Sequence, residues 1–250
     1  FPTRRSSDLS RAVPSYMIIN GLLGSAYLDE AKYATVINGY STSIRDHYFR
    51  GMSNIVCLGD PRMDQYALTP VKKINRINPT IGIGASGFSN IDLNSFLAVE
   101  FEFLREVLTA ISNFEAEGTT FRVVLKVRPN GYIKQYQHFL EEYFPGVVDL
   151  IVDNVPMREV FDESDLFISI YSQTLFEASC LGIPVIYHKN DREIVDPPFD
   201  CQSELVTTKN VSDLTKALRD FLVGDSRFNA FLDKSIMEKY VGPLDGNNLE

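Results

Sequence analysis

The chain has 250 residues, 44% of them hydrophobic, and 24 Lys and Arg against 33 Asp and Glu give it a net charge of −9. That apolar share allows a sizeable core in one large domain or two small ones, while the acidic balance excludes nucleic acid, which demands a basic face. No run approaches the roughly 18 apolar residues of a membrane-spanning helix. Cys57, Cys180 and Cys201 are too few and too scattered for a disulfide framework or a zinc site, so a reduced, cytoplasmic α/β protein is expected.

Residues 1–9, FPTRRSSDL, read as the in-frame translation of a common sequencing adapter. They are set aside from the fold, and the natural gene is expected to begin upstream. Residues 16–20 then read as a strand, 34–37 as a second, 41–50 as a helix, and 55–58 as a third strand running into Gly59-Asp60-Pro61-Arg62-Met63-Asp64. The polar stretch 66–78, with Thr69-Pro70 and three basic residues, reads as an interdomain linker or a surface loop.

A new apolar run over 80–83 breaks at Gly84-Ala85-Ser86-Gly87. Leu97, Phe101, Leu104, Leu108 and Ile111 recur at alternating steps of four and three, one stripe of an amphipathic helix. Asp92, Asn94 and Ser95 offer N-caps for it. Residues 121–127 form a strand signal that ends in Arg128-Pro129-Asn130-Gly131, a turn. A helix over 133–143, a strand over 147–152 and a short helix over 157–161 follow.

Residues 165–186 hold the most informative pattern. An apolar run over 166–170 gives way to Tyr171, Ser172, Gln173 and Thr174. A helix over 175–181 follows, closed by Gly182 and Pro184, and then a second apolar strand. The polar turn lies at the carboxyl end of its strand, where open α/β sheets bind ligands and helix-opening amides attract anions. Beyond it Pro197-Pro198 marks a loop, Ser212 is expected to cap a helix to Leu222, and residues 228–240 read as a last helix. The alternation predicts a doubly wound parallel sheet from about Thr80 onward, with part of a second α/β domain before it.

Gly82-Ile83-Gly84-Ala85-Ser86-Gly87 matches a dinucleotide fingerprint, which also wants an acidic residue about 20 positions on. The next strand ends instead in Lys126 and Arg128, which disfavours a nicotinamide or flavin enzyme. A turn approaching some other phosphate or a sugar, or a plain glycine turn, stays open. Lys126 and Arg128 flank Val127, so alternation places both on one strand face, where two cations suit a diphosphate. A solvated strand end is the bland reading. Ser172, Gln173 and Thr174 offer donors to phosphates or caps to the helix. Glu177, three residues after Thr174, is either the acid of a capping box or an acceptor for ribose hydroxyls.

Residues 165–178 with Gly182-Ile183-Pro184-Val185-Ile186 resemble the donor-site segment of GT-B-fold transferases. They are most similar to the CDP-glycerol glycerophosphotransferases and related capsule-polysaccharide glycosyltransferases. Residues 57–64 resemble that group's G-x-P-x-x-D segment, residues 125–130 its strand ending in K-x-H-P, and residues 240–246 its D-G-containing tail. The resemblance implies a remnant of the acceptor domain over 10–66, a linker over 67–79 and a Rossmann-like donor domain with carboxyl-terminal helices over 80–250. It implies a nucleotide-activated sugar or CDP-glycerol donor and a polysaccharide or lipid-linked acceptor, as in capsule or teichoic-acid synthesis in the cell envelope. No bound metal or cofactor is implied, because basic side chains and a helix end stabilise the leaving group. The cytoplasmic face of the membrane, reached through a missing part, is the implied location.

Lys126, Arg128, Pro129 and Asn130 match the basic turn, Tyr171, Ser172, Gln173 and Thr174 the phosphate contacts, and Glu177 the ribose contact. The loop of Gly84, Ser86 and Gly87 completes the expected donor site. The departures are Ile170 for Asp, Gln173 for Ser, and Arg128 for His, and arginine supplies charge but no acid at neutral pH. A general base is expected in the acceptor domain, and no catalytic residue is named. Two alternatives stand beside this reading. One is a hydrolysing UDP-sugar 2-epimerase, for which only His47, His138 and His188 are present. The other is a non-catalytic sugar-nucleotide-binding domain.

Overall fold

The computed structural model describes residues 13–19, 34–67, 69–85, 95–129, 132–189 and 195–248. A small parallel sheet comes first, with β1 (Tyr16–Ile18), β2 (Val36–Asn38) and β3 (Ile55–Val56) in that order. Helix α1 (Thr42–Tyr48) starts where the Ser41 hydroxyl accepts the Ile44 amide at 3.3 Å. Ile19, Ile37, Tyr40, Ile44 and Phe49 form the core of this lobe. A one-turn helix, α2 (Asp64–Ala67), leads away from it.

The second sheet contains β4 (Thr80–Gly84), β5 (Arg122–Lys126), β6 (Leu150–Val152), β7 (Leu166–Ser169), β8 (Val185–His188) and β9 (Thr207–Thr208). The strands run parallel in the order β6-β5-β4-β7-β8-β9. Both faces are covered, which is why β4, β7 and β8 are buried at every position and read as continuous apolar runs.

Against one face lie α3 (Ser95–Ala116) and α7 (Val211–Leu222), whose Leu104, Leu108, Leu214 and Phe221 pack on Ile81, Ile83 and Ile168. The other face carries α5 (Met157–Glu163), α6 (Thr174–Cys180) and α9 (Lys234–Val241). There Phe161, Phe176 and Met237 surround Phe167 and Tyr187. Two further α-helices among the described residues are α4 (Ile133–Tyr143) and the one-turn α8 (Arg227–Ala230).

Two boundaries differ from the sequence reading for local reasons. Asn210, not Ser212, caps α7, because its extended backbone lets its side-chain carbonyl accept the Asp213 amide at 2.9 Å. The last helix is split into α8 and α9, since Asp233 leaves the helical conformation and its carboxylate caps Ser235 at 2.8 Å.

Residues 69–79 of the expected linker or loop form a strap along the second sheet's helices. Its Lys72 ammonium donates to the carbonyls of Asp162 at 2.6 Å and Ser164 at 2.8 Å, closing the carboxyl end of α5. Arg76 Nε donates to the Phe221 carbonyl at the end of α7 at 3.0 Å. The buried Asp165 carboxylate accepts from Asn75 N at 2.9 Å and Thr80 N at 3.0 Å, joining the strap to β4. Asp165→Ala strands both amides and is expected to cost about 2–4 kcal/mol in urea unfolding. A loss under about 0.5 kcal/mol, as at an uninvolved surface site, would contradict this role.

Candidate functional site

The strand order reverses between β4 and β7, so the crevice outside their carboxyl ends is where this topology binds ligands. Ser169 Oγ donates to the Gly84 carbonyl at 2.8 Å and pins the two strand ends together. The chain then opens into Tyr171-Ser172-Gln173-Thr174. Ser172 and Thr174 hydroxyls lie 2.7 Å apart, and Ser172 Oγ accepts the Thr174 amide at 3.3 Å. Both stand half-buried at the turn as a two-hydroxyl cradle.

Gln173 and Glu177 leave the turn in another direction, toward residues 60–66 that follow the first lobe. Gln173 Nε2 donates to Asp60 Oδ2 at 2.8 Å, and Tyr66 OH donates to Glu177 Oε2 at 2.9 Å. The capping box is therefore not made. Gln173 takes a helical backbone and Thr174 already lies inside α6, so no extended cap residue is there for Glu177 to complete. Burial pushes the Glu177 carboxyl up, opposed by the Tyr66 bond and the Arg62 guanidinium. Burial and the Glu177 charge likewise raise the Tyr66 phenol above its ordinary value.

Asp60, only 2% exposed, anchors this junction. It accepts from Arg62 N at 3.0 Å, Arg62 Nε at 2.9 Å and Arg62 Nη2 at 2.8 Å, besides Gln173. Its own amide donates to Val241 O at 3.0 Å, and Asn248 Nδ2 donates to its carbonyl at 3.2 Å. On the other side of the turn Tyr171 stacks edge-on to Phe199 at 4.7 Å. Tyr171 also lies close to Tyr48 of α1, whose hydroxyl bonds Asp196. The first lobe thus flanks the turn at both Tyr171 and Gln173.

No family model and no curated protein matches the chain. Solved structures do. A UDP-GlcNAc 2-epimerase from Neisseria meningitidis bound to UDP-GlcNAc superposes with a TM-score of 0.63 at 15% identity, over 97% of this chain and 69% of that one. A putative UDP-N-acetylglucosamine 2-epimerase from Listeria monocytogenes gives 0.62 at 15% identity, over 96% and 66%. Anabaena HepE in complex with UDP-glucose gives 0.57 at 10% identity, over 97% and 73%. The fold is GT-B-like. The chain spans about two thirds of the length of these epimerases.

Within this GT-B-like frame, three of the four segments singled out from sequence converge. Residues 57–64, 171–177 and 240–246 meet around Asp60. The fourth does not join them. Lys126 is 8% exposed, and its ammonium donates to Val127 O at 2.8 Å and Asp153 O at 2.5 Å, clamping the ends of β5 and β6. Burial lowers its pKa. The expectation of two cations side by side thus changes, because Lys126 is folded back into the protein while Arg128 and Pro129 are exposed. Ser86, Gly87 and Asn130 lie outside the described residues.

Gly84 also acquires a different reason. A Cβ there would sit 2.6 Å from Phe167 Cζ, and one at Gly82 would sit 2.3 Å from Ser164 Oγ. Gly84 makes room for Phe167 on the neighbouring strand and Gly82 for Ser164 and Phe167, a packing reason for the glycine pattern. Each histidine is engaged elsewhere. The fully buried His188 ring bridges Thr208 Oγ1 at 3.0 Å and Glu106 Oε2 at 2.7 Å. His47 contacts Ser43 O at 2.7 Å on α1, and His138 pairs with Glu142 at 3.4 Å on α4.

Sequence reasoning missed Asp60, Arg62 and Tyr66 as neighbours of the turn. The segment carrying Asp60 and Arg62 was visible, but its contact with Gln173 spans 113 residues and the Tyr66–Glu177 contact 111. No periodicity reports such a pairing. Tyr48 and Asp196 had no sequence signal at all.

Proposed function

We propose that the crevice between β4 and β7 binds the diphosphate of a nucleotide-activated donor and that the intact protein transfers the activated group to an acceptor hydroxyl. The observation that carries this reading is the cradle of Ser172 and Thr174 at the topological switch point, with the Glu177 carboxylate one turn further on. In this reading the two hydroxyls hold phosphate oxygens, and Glu177 accepts from ribose hydroxyls with the oxygen that Tyr66 leaves open. Tyr171 and Gln173 border the pocket, and exposed Arg128 supplies a cation from the neighbouring strand end. Residues 80–250 form the donor domain, and 10–66 belong to the acceptor side.

The reaction is displacement at the donor's anomeric carbon or phosphorus. Charge develops on the departing phosphate, and hydrogen-bond donors already in place there stabilise it without reorganising. Surface polysaccharide or teichoic-acid-like polymer is the acceptor class that the sequence resemblance favours. A UDP-sugar 2-epimerase reading is supported by the likeness to the Neisseria and Listeria proteins.

Calorimetric titration with UDP, CDP and GDP tests the site, and at least one diphosphate is expected to bind. Absence of binding by all three at millimolar concentration would overturn the proposal. Given a binder, nucleotide release from a matching sugar nucleotide separates the two readings. A transferase releases it only with acceptor present, whereas a hydrolysing epimerase releases UDP without one.

A further inference from the structure

We propose that Asp60 is the positioning residue of the donor turn, a latch between the lobes that fixes Gln173 and, through Arg62, the charge surrounding Glu177. The inference rests on the crevice being a nucleotide site, and it adds a residue from the other lobe to that site's machinery.

The geometry is specific. A carboxylate buried to 2% exposure has lost its water and needs protein donors at both oxygens. Oδ1 accepts from Arg62 N and Nε, and Oδ2 accepts from Arg62 Nη2 and Gln173 Nε2. Three of the four donors come from Asp60's own segment. The fourth is the only one that crosses to the turn.

Asp60 itself cannot drift. Its amide is held by Val241 O and its carbonyl by Asn248 Nδ2. The preceding Gly59 amide donates to Tyr40 O at 2.9 Å. The carboxylate is therefore a fixed point shared by the first lobe, the turn and the carboxyl-terminal tail. Gln173 sits between Ser172 and Thr174, so restraining its amide also restrains the backbone that presents their hydroxyls. Arg62, held in a two-pronged grip by the same carboxylate, lies 5.8 Å from the centre of the Tyr40 ring and near enough to Glu177 to favour its charge. Replacing the Asp60 carboxylate thus frees both Gln173 and the Arg62 guanidinium beside Glu177, while no Asp60 atom needs to touch the nucleotide.

The test is a double-mutant cycle read by calorimetric titration of the full 250-residue chain with UDP, CDP and GDP, and by urea unfolding. Asp60→Asn is expected to weaken diphosphate binding about tenfold, as is Gln173→Ala, whose half-buried side chain puts folding at little risk. The double variant should bind no more weakly than Asp60→Asn alone, because Gln173 acts only through its contact with Asp60, whereas Asp60 also acts through Arg62. A merely structural Asp60 would lower the urea midpoint and leave affinity within about twofold of wild type, which overturns the inference. Multiplying effects in the double variant, or a loss for Gln173→Ala with Asp60→Asn unaffected, would also overturn it. A wild-type protein that binds none of the three diphosphates removes the nucleotide reading and the latch with it. Wild-type binding with an unaffected Asp60→Asn removes the latch alone.

Discussion

Gly242→Ala is expected to lower the free energy of unfolding by about 3 kcal/mol or more, the sum of a left-handed backbone penalty and an overpacked contact. Gly242 follows α9 at φ 84°, a region that L side chains rarely adopt. An added Cβ would sit 2.3 Å from Tyr40 O and 2.4 Å from Gly59 Cα. Both are backbone atoms of the first lobe, so no rotamer change relieves the overlap, and the tail must lift away. Lifting it breaks the Asp60–Val241 hydrogen bond and withdraws Asn248 from Asp60 and Asp64.

Gly246→Ala is the control. Gly246 has the same φ of 84°, but nothing lies within 4 Å of its would-be Cβ. It should cost only the backbone term, about 1 kcal/mol. Urea unfolding of the two variants decides the matter. Equal losses would mean that the tail does not press on the first lobe.

Glu177→Ala is expected to weaken nucleotide diphosphate binding about 10- to 100-fold, the loss of charge-assisted hydrogen bonds to the ribose. The same change also removes the acceptor of the Tyr66 hydroxyl, so a stability loss alone would not identify the role. Tyr66→Phe separates the two. It deletes that hydrogen bond, at about 1 kcal/mol, and leaves the carboxylate in place, so it should keep most of the affinity. Calorimetry and urea unfolding on both variants give the answer. If Glu177→Ala binds as wild type does, the carboxylate serves only to hold Tyr66.

Much of the architecture is written in local pattern. The apolar runs at β4, β7 and β8 are legible because strands covered on both faces admit no polar alternation. The Leu104, Leu108 and Ile111 stripe is legible because α3 buries one face between Phe103 and Phe114. The polar turn after β7 was equally plain, and the GT-B expectation drawn from it agrees with the solved structures.

What escaped is non-local. Gly82 and Gly84 look like a ligand loop, and the packing need that Phe167, on another strand, adds is not visible in their spacing. Lys126 alternates like a free strand-end cation, but two carbonyls of its own sheet claim it. The capping-box spacing of Thr174 and Glu177 is a fair local inference. It fails because Tyr66, from a distant segment, offers the carboxylate a partner that the helix start does not. The helix boundaries at Asn210 and Asp233 turned on which of several polar residues adopts an extended backbone, and spacing does not encode that.

A crystal structure of the chain soaked with UDP, followed by CDP, tests the central claim most directly. The account predicts diphosphate oxygens within hydrogen-bonding distance of Ser172 and Thr174, ribose hydroxyls against Glu177, and Gln173 still held by Asp60. A nucleotide bound away from the β4–β7 crevice, or one that reaches neither Ser172 nor Glu177, would contradict it.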